Sequence, residues 1–338
     1  MRAYELVPGV KSLDALRPVE RPDPRPGPLD VLIRVRATSL NRRDHSVIMG
    51  IYAGPPLTRP TIPVSDGAGE VVAVGPEVRR FKVGDRVAGC FFQRWHDGPY
   101  AASVRGSTLG APHDGMLAEL VALAETGVVA IPDHLSFEEA ATLPCAGLTA
   151  WHALFERGGL RPGQTVLVLG TGGVSVFGLQ FAKAAGARVI VTSSSDEKLM
   201  RAKALGADGA VNYRTTPEWD KQVLRLTGGQ GVDQVLEVGG AATLPRSIES
   251  VRVGGFIHQI GFVSGRDATI NLPRLVARDA TYRGVYVGSR AMFEAMNAAI
   301  AATRLKPVID RIFPFEDARA AYEYQGSGAH FGKVVIKV

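Results

Sequence analysis

The sequence predicts an α/β fold: a doubly wound parallel sheet preceded by a β-rich segment. Three observations carry that expectation. An apolar run from Val166 to Leu169 enters a glycine turn, Gly170-Thr-Gly-Gly173, and then a segment of helical period. There Val174, Phe177, Gly178, Phe181 and Ala182 fall on one face, Gly186 stops the helix, and a second β-type run follows from Arg188 to Thr192. Strand, glycine turn, helix and strand form a dinucleotide-binding unit, in which a pyrophosphate sits on the positive end of the helix. Secondly, β-type runs near Val232 to Val238, Phe256 to Ile260 and Tyr282 to Val287 alternate with helical segments, as a parallel sheet requires. Thirdly, the first third of the chain is rich in short β-type runs separated by glycine turns.

In chain order, the proline cluster from Arg17 to Pro28 reads as an extended connector before a strand from Asp30 to Ala37. The runs Gly67 to Gly75 and Phe81 to Gly89 read as further strands. Weak periodicity from Gln93 to Pro112 predicts a long loop, and Ser136-Phe-Glu-Glu139 is a capping box that opens a helix. In the nucleotide turn, Gly170 permits the tight bend and Gly172 lets the backbone approach phosphate; the third fingerprint position is Ser175. The closing residues hold one helix, near Phe315 to Tyr324, and a strand from Lys333 to Val338.

At 338 residues the chain exceeds one ordinary domain and predicts two. A hydrophobic fraction of 46% with 21% charged residues is the balance of a globular protein with sizeable cores. The net charge of +6 is scattered, with no run of like charges, so a nucleic-acid arm is not expected and an anionic ligand is tolerated. No apolar signal region or membrane span is expected. Two cysteines, Cys90 and Cys145, form no disulfide framework and fit a reducing cytoplasm.

A series of short segments resembles the zinc-independent side of the medium-chain dehydrogenase/reductases, near the quinone oxidoreductases and alcohol dehydrogenase-like proteins. They are Ser39-Leu-Asn-Arg-Arg-Asp44, Gly67-Ala-Gly-Glu-Val, Val83-Gly-Asp-Arg-Val, Leu143-Pro-Cys-Ala-Gly-Leu-Thr-Ala-Trp151 and the nucleotide turn. Val211-Asn-Tyr-Arg214, Gly284-Val-Tyr-Val-Gly-Ser-Arg290 and Gly332-Lys-Val-Val complete the series, which spans essentially the whole chain. The resemblance implies a GroES-like β-rich catalytic domain over 1–125, a Rossmann domain over 126–299, and a return to the catalytic domain over 300–338. It also implies a small-molecule substrate and a homodimer formed through the sheet edge near Tyr282 to Val287.

Zinc alcohol dehydrogenases of that superfamily hold their ion with a cysteine, a histidine and a second cysteine. Here the matching positions are Asn41, Ser65 and Cys145, and Asp66 stands at the position of the glutamate that follows the histidine. One thiolate cannot hold a catalytic ion alone, so no metal is expected. The stretch from Gln93 to Pro112 also lacks the cysteines of a structural zinc lobe. Cys145 reads as a buried small side chain.

At the end of the second Rossmann strand, NAD enzymes carry a carboxylate for the ribose hydroxyls. Ser193 stands there, followed by Ser194 and Ser195. Family pattern adds Lys198 and Tyr213 as contacts of a 2′-phosphate, so NADPH is expected in preference to NADH. Lys198 has a plainer reading as a solvated helix residue, because Ser194-Ser-Asp-Glu197 is also a capping box. The cofactor set is therefore Gly170, Thr171, Gly172, Gly173, Val174, Ser193, Ser194, Lys198 and Tyr213. The resemblance adds Gly239, Gly240 and Gly261 beside the nicotinamide, and Lys333 near the pyrophosphate.

Hydride transfer to a carbonyl or conjugated alkene builds negative charge on oxygen, which donors must stabilise. The candidates are the amide of Asn41, the phenol of Tyr52 and the hydroxyl of Thr149. Asn41 tying down a turn and Tyr52 merely packing are the structural alternatives. His45, one residue after Asp44, offers a proton relay, with a surface role its plainer reading, and Arg290 reads as serving subunit packing or a loop. Three functions are compatible with these residues: an NADPH-dependent reductase of quinones or conjugated enones and enals, a metal-free alcohol dehydrogenase, and a nucleotide-binding protein without turnover.

Overall fold

In the computed structural model, residues 1–52, 54 and 57–338 are described. The chain divides into two units, Met1–Leu148 with Val287–Val338, and Thr149–Tyr286. The first opens on β1 (Arg2–Leu6), which pairs antiparallel with β2 (Leu16–Glu20). Part of the expected proline connector is thus strand: Pro18 lies opposite Tyr4 in this two-stranded ribbon. Proline lacks an N–H, and a ribbon edge asks for none there.

Alternation in β3 (Asp30–Leu40) sends Val31, Ile33, Val35 and Ala37 into the core. Asn41 then precedes α1 (Arg42–Ile48), and β4 (Asp66–Val74), β5 (Arg86–Gly89), β6 (Leu120–Ala124) and β7 (Val128–Ala130) follow. β4 pairs with β3 and β5, β5 with β7, and β6 with the first half of β3, all antiparallel. The long loop expected from Gln93 to Pro112 holds one 3₁₀ turn, Ala102–Val104. Ser136 caps α2 (Phe137–Ala140) through the expected box, its hydroxyl accepting from the Glu139 N–H. A short helix, α3 (Leu148–Trp151), lies where the chain passes from one unit to the other.

The second unit is a six-stranded parallel sheet. Its strands are β8 (Thr165–Leu169), β9 (Arg188–Ser193), β10 (Gly209–Asn212), β11 (Val232–Glu237), β12 (Val251–Gln259) and β13 (Thr281–Gly284). Between them run α4 (Gly173–Ala184), α5 (Asp196–Ala204), α6 (Trp219–Leu226), α7 (Leu244–Ser250) and α8 (Leu272–Ala277). The spatial order β10-β9-β8-β11-β12-β13 reverses direction between β8 and β11. β8 is buried along its whole length, as a central parallel strand must be.

The return to the first unit comprises α9 (Arg290–Thr303), β14 (Ile309–Pro314), α10 (Ala318–Ser327) and β15 (Lys333–Lys337). The closing helix thus begins three residues later than expected, after a 3₁₀ turn over Phe315–Asp317. β15 pairs parallel with β14 and antiparallel with the second half of β3, with Val334 opposite Leu40. Segments 126–148 and 287–299, expected in the nucleotide domain, fold with the first unit instead. Tertiary bonds invisible to local pattern explain this: β7 extends the β5 edge, and Asn297 Nδ2 of α9 donates to the Ala130 carbonyl at 2.8 Å. The GroES-like catalytic unit and the Rossmann unit are otherwise as expected. Among the described residues, no helix is long and apolar enough to cross a membrane.

His258 of β12 is buried in the second unit, stacked on Phe256 and hydrogen-bonded through Nε2 to Gln234 Oε1 at 3.1 Å. Burial drives its pKa from 6.5 down to about 3. The unfolded chain therefore takes up a proton that the folded one refuses between those two values, so this residue's contribution is present above pH 6.5 and lost as pH falls toward 3. Urea unfolding at pH 7.5 and pH 4.5 tests this: the stability difference between the two should shrink in His258→Leu relative to wild type.

Candidate active site

At the carboxyl edge of the parallel sheet, the turn after β8 is held open by Gly170, at φ +73°. Gly172 caps α4 with no side chain over the helix end, and a Cβ placed there would meet nothing within 4 Å. The first N–H groups of α4 thus form an uncovered positive terminus over Gly172, Gly173 and Val174. Ser175, at the third fingerprint position, is buried, and its hydroxyl donates to the Leu169 carbonyl at 2.6 Å. Close helix–sheet packing falls to Gly178, where a Cβ would collide with Leu236 Cδ1.

Ser193 ends β9 opposite Asn212 of β10, and the Tyr213 N–H donates to the Ser193 carbonyl at 3.0 Å. These pairings bring Ser193, Ser194 and Tyr213 to one end of two neighbouring strands. The cap of α5 is Ser195, whose hydroxyl accepts from the Lys198 N–H, and not Ser194 as the capping-box reading expected. In a run of three serines only backbone geometry selects the cap. Asp196 is engaged by the Asn212 amide at 2.8 Å.

Sequence reasoning passed over Glu237, the last residue of β11. It is fully buried, and its Oε1 accepts from the N–H groups of Gly239 and Gly240 and from the Thr243 hydroxyl, while Oε2 accepts from Ser247. One carboxylate therefore shapes the glycine turn after β11. Gly240 needs its φ of +93°, and a Cβ there would lie 2.5 Å from the Gly265 carbonyl oxygen. Gly261 follows β12, its N–H reaching the Glu237 carbonyl at 3.2 Å. Thr149 is buried near the start of this unit.

The other unit contains a buried polar cluster. Asn41, between β3 and α1, donates its backbone N–H to Asp44 Oδ2 at 2.8 Å. Its side-chain oxygen accepts from Lys333 Nζ at 2.6 Å, and the same ammonium donates to the Leu40 carbonyl at 2.5 Å. Lys333 is 3% exposed, so its charge is committed to the interior of the catalytic unit. The register of β15 against β3 turns the side chain toward Asn41. Asp66, fully buried on β4, accepts from the Ser65 hydroxyl at 2.7 Å and from the Cys145 N–H at 3.0 Å.

Burial moves every titrating group of the cluster toward its neutral form. It raises Asp44 to about 6 against the pull of Arg43, and raises Asp66 against the pull of Lys333. It lowers Lys333, with Asp66 opposing, and pushes the Cys145 thiol up, helped by Asp66. Arg43, not singled out in the sequence, ties the long loop to this cluster. Its guanidinium donates to the carbonyls of Leu109 at 2.9 Å and Ala111 at 2.6 Å. It also lies 4.9 Å from the ring centres of both Tyr52 and Phe91. Tyr52 is thereby placed by a cation–π contact. His45 is half-buried on α1, and Arg290 donates to the Thr126 carbonyl at 3.2 Å, a role within the loop packing.

Residues 27–133 match the alcohol dehydrogenase GroES-like domain, and residues 173–302 match a family described as zinc-binding dehydrogenase. A zinc-type alcohol dehydrogenase-like protein of Schizosaccharomyces pombe is 46% identical over 97% of both chains. The chain belongs to the medium-chain dehydrogenase/reductase family. A quinone oxidoreductase of Pseudomonas aeruginosa is 37% identical over 76% of this chain and 72% of its own. The solved structure of an NAD-dependent alcohol dehydrogenase superposes with a TM-score of 0.91 at 37% identity, covering 100% of both chains. The protein is thus an oxidoreductase of a family that binds NAD(P).

The donor set at the family's metal positions fits a zinc ion poorly. Asn41 turns its oxygen to an ammonium, Ser65 donates to Asp66, and burial pushes the one thiol away from the thiolate form that binds zinc. Among the described residues, no group of three or more His, Cys, Asp or Glu side chains is placed to hold a metal.

Replacing Arg43 by methionine removes three charge-assisted bonds, to Leu109, Thr108 and Ala111, and the support of Tyr52. Each such bond is worth roughly 1.5–3 kcal/mol when buried, so urea unfolding should show Arg43→Met less stable by at least about 2 kcal/mol. Unchanged unfolding would mean that the loop holds itself.

Proposed function

We propose that this oxidoreductase is an NADPH-dependent, zinc-independent reductase of quinones or conjugated enones and enals. The observation that carries the reading is the polar cluster around Asn41, which offers hydrogen-bond donors and an internal cation where a metal enzyme needs ligands. The bound dinucleotide would supply the hydride. A conjugated acceptor spreads the resulting negative charge, so fixed donors suffice in place of a Lewis acid. In this reading Asn41, Tyr52 and Thr149 are those donors.

The uncovered terminus from Gly170 to Val174 would hold the pyrophosphate. Hydroxyls of Ser193 and Ser194, with Lys198 and Tyr213, would receive the 2′-phosphate, since no carboxylate stands at the end of β9 to repel it. Gly239, Gly240 and Gly261 would line the nicotinamide site. The N–H groups of the first two are spent on Glu237, so they would act by shape. The exposed edge strand β13 would pair with that of a second copy, giving a homodimer. The likeness to a structure named as an NAD-dependent alcohol dehydrogenase favours a second reading, oxidation of a small alcohol with NAD.

A panel of quinones, enones and alcohols assayed with both dinucleotides separates these readings. Consumption of NADPH with quinones or enones supports the first; turnover confined to alcohols with NAD supports the second. Consumption of neither dinucleotide would rule out both.

Lys198→Ala should weaken NADPH binding about ten- to a hundredfold and leave NADH binding nearly unchanged, as expected for one charge-assisted phosphate contact. Ser193→Asp should shift preference toward NADH. Equal loss of both dinucleotides in Lys198→Ala would assign the lysine to the helix.

Purified enzyme should contain far less than one zinc per chain and keep its activity in chelator. Stoichiometric zinc whose removal abolishes activity would overturn the metal-free reading.

Tyr52→Phe should lower turnover roughly tenfold, less than the loss of a donor to a localised oxyanion, with NADPH affinity unchanged. Full turnover in both Tyr52→Phe and Asn41→Ala would show that the oxyanion donors lie elsewhere.

A further inference from the structure

The long loop is closed at its base by backbone bonds. The Gln93 N–H donates to the Ser107 carbonyl at 2.9 Å, the Leu109 N–H donates to the Phe91 carbonyl at 3.1 Å, and Phe92 bridges Thr108. Its tip is tied down as well. The carbonyls of Trp95 and His96 accept from the N–H groups of Arg290 and Ala291 at the start of α9. The Trp95 indole N–H donates to the Gly98 carbonyl at 2.9 Å, which fixes the turn just before Tyr100. A loop held at so many points presents its side chains in set places.

Tyr100 keeps 36% of its surface exposed, yet it rests on buried rings. Its ring centre lies 5.7 Å from that of Phe92 and 5.2 Å from that of Trp95, and Phe92 lies 5.0 Å from Phe91. Phe91 shares the Arg43 guanidinium with Tyr52, each ring centre 4.9 Å from it. The series of rings thus returns to the phenol that the proposed function places against the acceptor. Burial pushes the Tyr100 phenol above its ordinary value, with Arg105 opposing and Tyr52 adding to the rise. Tyr52 and Tyr100 are therefore neighbours, brought together from two distant segments of one unit. Two partly exposed phenols on a bed of buried rings form an aromatic surface edged with hydroxyls.

We propose that Tyr100 is a specificity-determining residue: with Tyr52 it forms an aromatic wall of the acceptor site, which selects fused-ring quinones over aliphatic enones and enals. The inference rests on the reading of Tyr52 as a substrate contact and narrows the acceptor class. Aromatic rings gain from edge and face contacts beyond the area they bury, and an aliphatic acceptor forgoes that gain. A quinone also carries its oxygens on the rim of its ring, within reach of a phenol while the ring itself packs against the wall. Because Phe92 and Trp95 already hold the Tyr100 ring, little side-chain freedom is lost on binding.

The test compares menadione, a fused-ring quinone, with cyclohexenone as acceptors for wild type, Tyr100→Leu and Tyr100→Phe. In Tyr100→Leu the ratio of kcat/KM for the quinone to that for the enone should fall roughly three- to tenfold, as for one aromatic contact, chiefly through the quinone KM. Tyr100→Phe retains the ring and should keep that ratio within about twofold of wild type. An unchanged ratio in Tyr100→Leu, or an equal fall in both variants, overturns the proposal.

Binding without turnover separates the wall from the functional reading. Anthraquinone sulfonate alone, followed by equilibrium dialysis, should bind Tyr100→Leu at least about threefold more weakly than wild type. If wild type turns over alcohols alone and that weakening is still seen, the reductase reading fails and the aromatic wall stands. Equal affinity in both proteins, or no binding in either, overturns the wall and leaves quinone reduction to be decided by the acceptor panel.

Discussion

Pairing of the last strand with the third is the contact on which the catalytic unit depends. Val334 lies opposite Leu40, and the strand start at Lys333 is thereby delivered to Asn41, 292 residues away in sequence. A slip of one residue would turn Lys333 to the other face of the strand. The ammonium would then leave Leu40 and Asn41, and Asp66 would lose the charge that opposes its burial. Removing one partner from a buried charge pair costs more than the pair contributes, so the cluster penalises wrong registers more than it rewards the right one. The same strand carries Val334, Val335 and Ile336 into the core, so apolar burial and charge pairing select one register together.

The second unit depends on a different constraint, the reversal of strand order between β8 and β11. Neighbouring connections there leave the sheet in opposite directions, which opens a crevice at the carboxyl ends of the strands. Two glycine turns border it, and each is set by a different device. Backbone conformation alone shapes the turn after β8, through Gly170 and Gly172. A buried carboxylate shapes the turn after β11, where Glu237 ties down Gly239, Gly240 and Thr243. The first leaves N–H groups uncovered and suits an anion; the second consumes its own N–H groups and presents a smooth wall.

Features written within a short window of sequence were legible: the β8–α4 turn, the Ser136 capping box and the alternation of β3. Each is fixed by neighbours a few residues apart, where period and turn chemistry act directly. The Ser195 cap was missed by one position because three consecutive serines offer equal side chains. Pro18 was read as connector because its strand partner, Tyr4, lies across a loop. Arg43, Glu237 and the hydrogen bonds of Lys333 were not legible, since their partners are brought together by tertiary pairing. Asn41 and Tyr52 could be singled out by type and position; that a cation holds each of them could not.

Those two cations bear on what the catalytic unit can do. Lys333 and Arg43 are both deeply buried, and both bind backbone carbonyls, which are fixed acceptors. Residues anchored in this way cannot follow a substrate as it changes charge; they set a constant field around Asn41 and Tyr52 before any ligand arrives. Preorganised donors act best where little rearrangement is needed when charge develops. A simple ketone concentrates new charge on one oxygen and calls for a strong electrophile at short range. A quinone or enone distributes it, and a weaker field of fixed direction is then enough. In the proposed reading, this fixed anchoring is a physical reason to prefer conjugated acceptors.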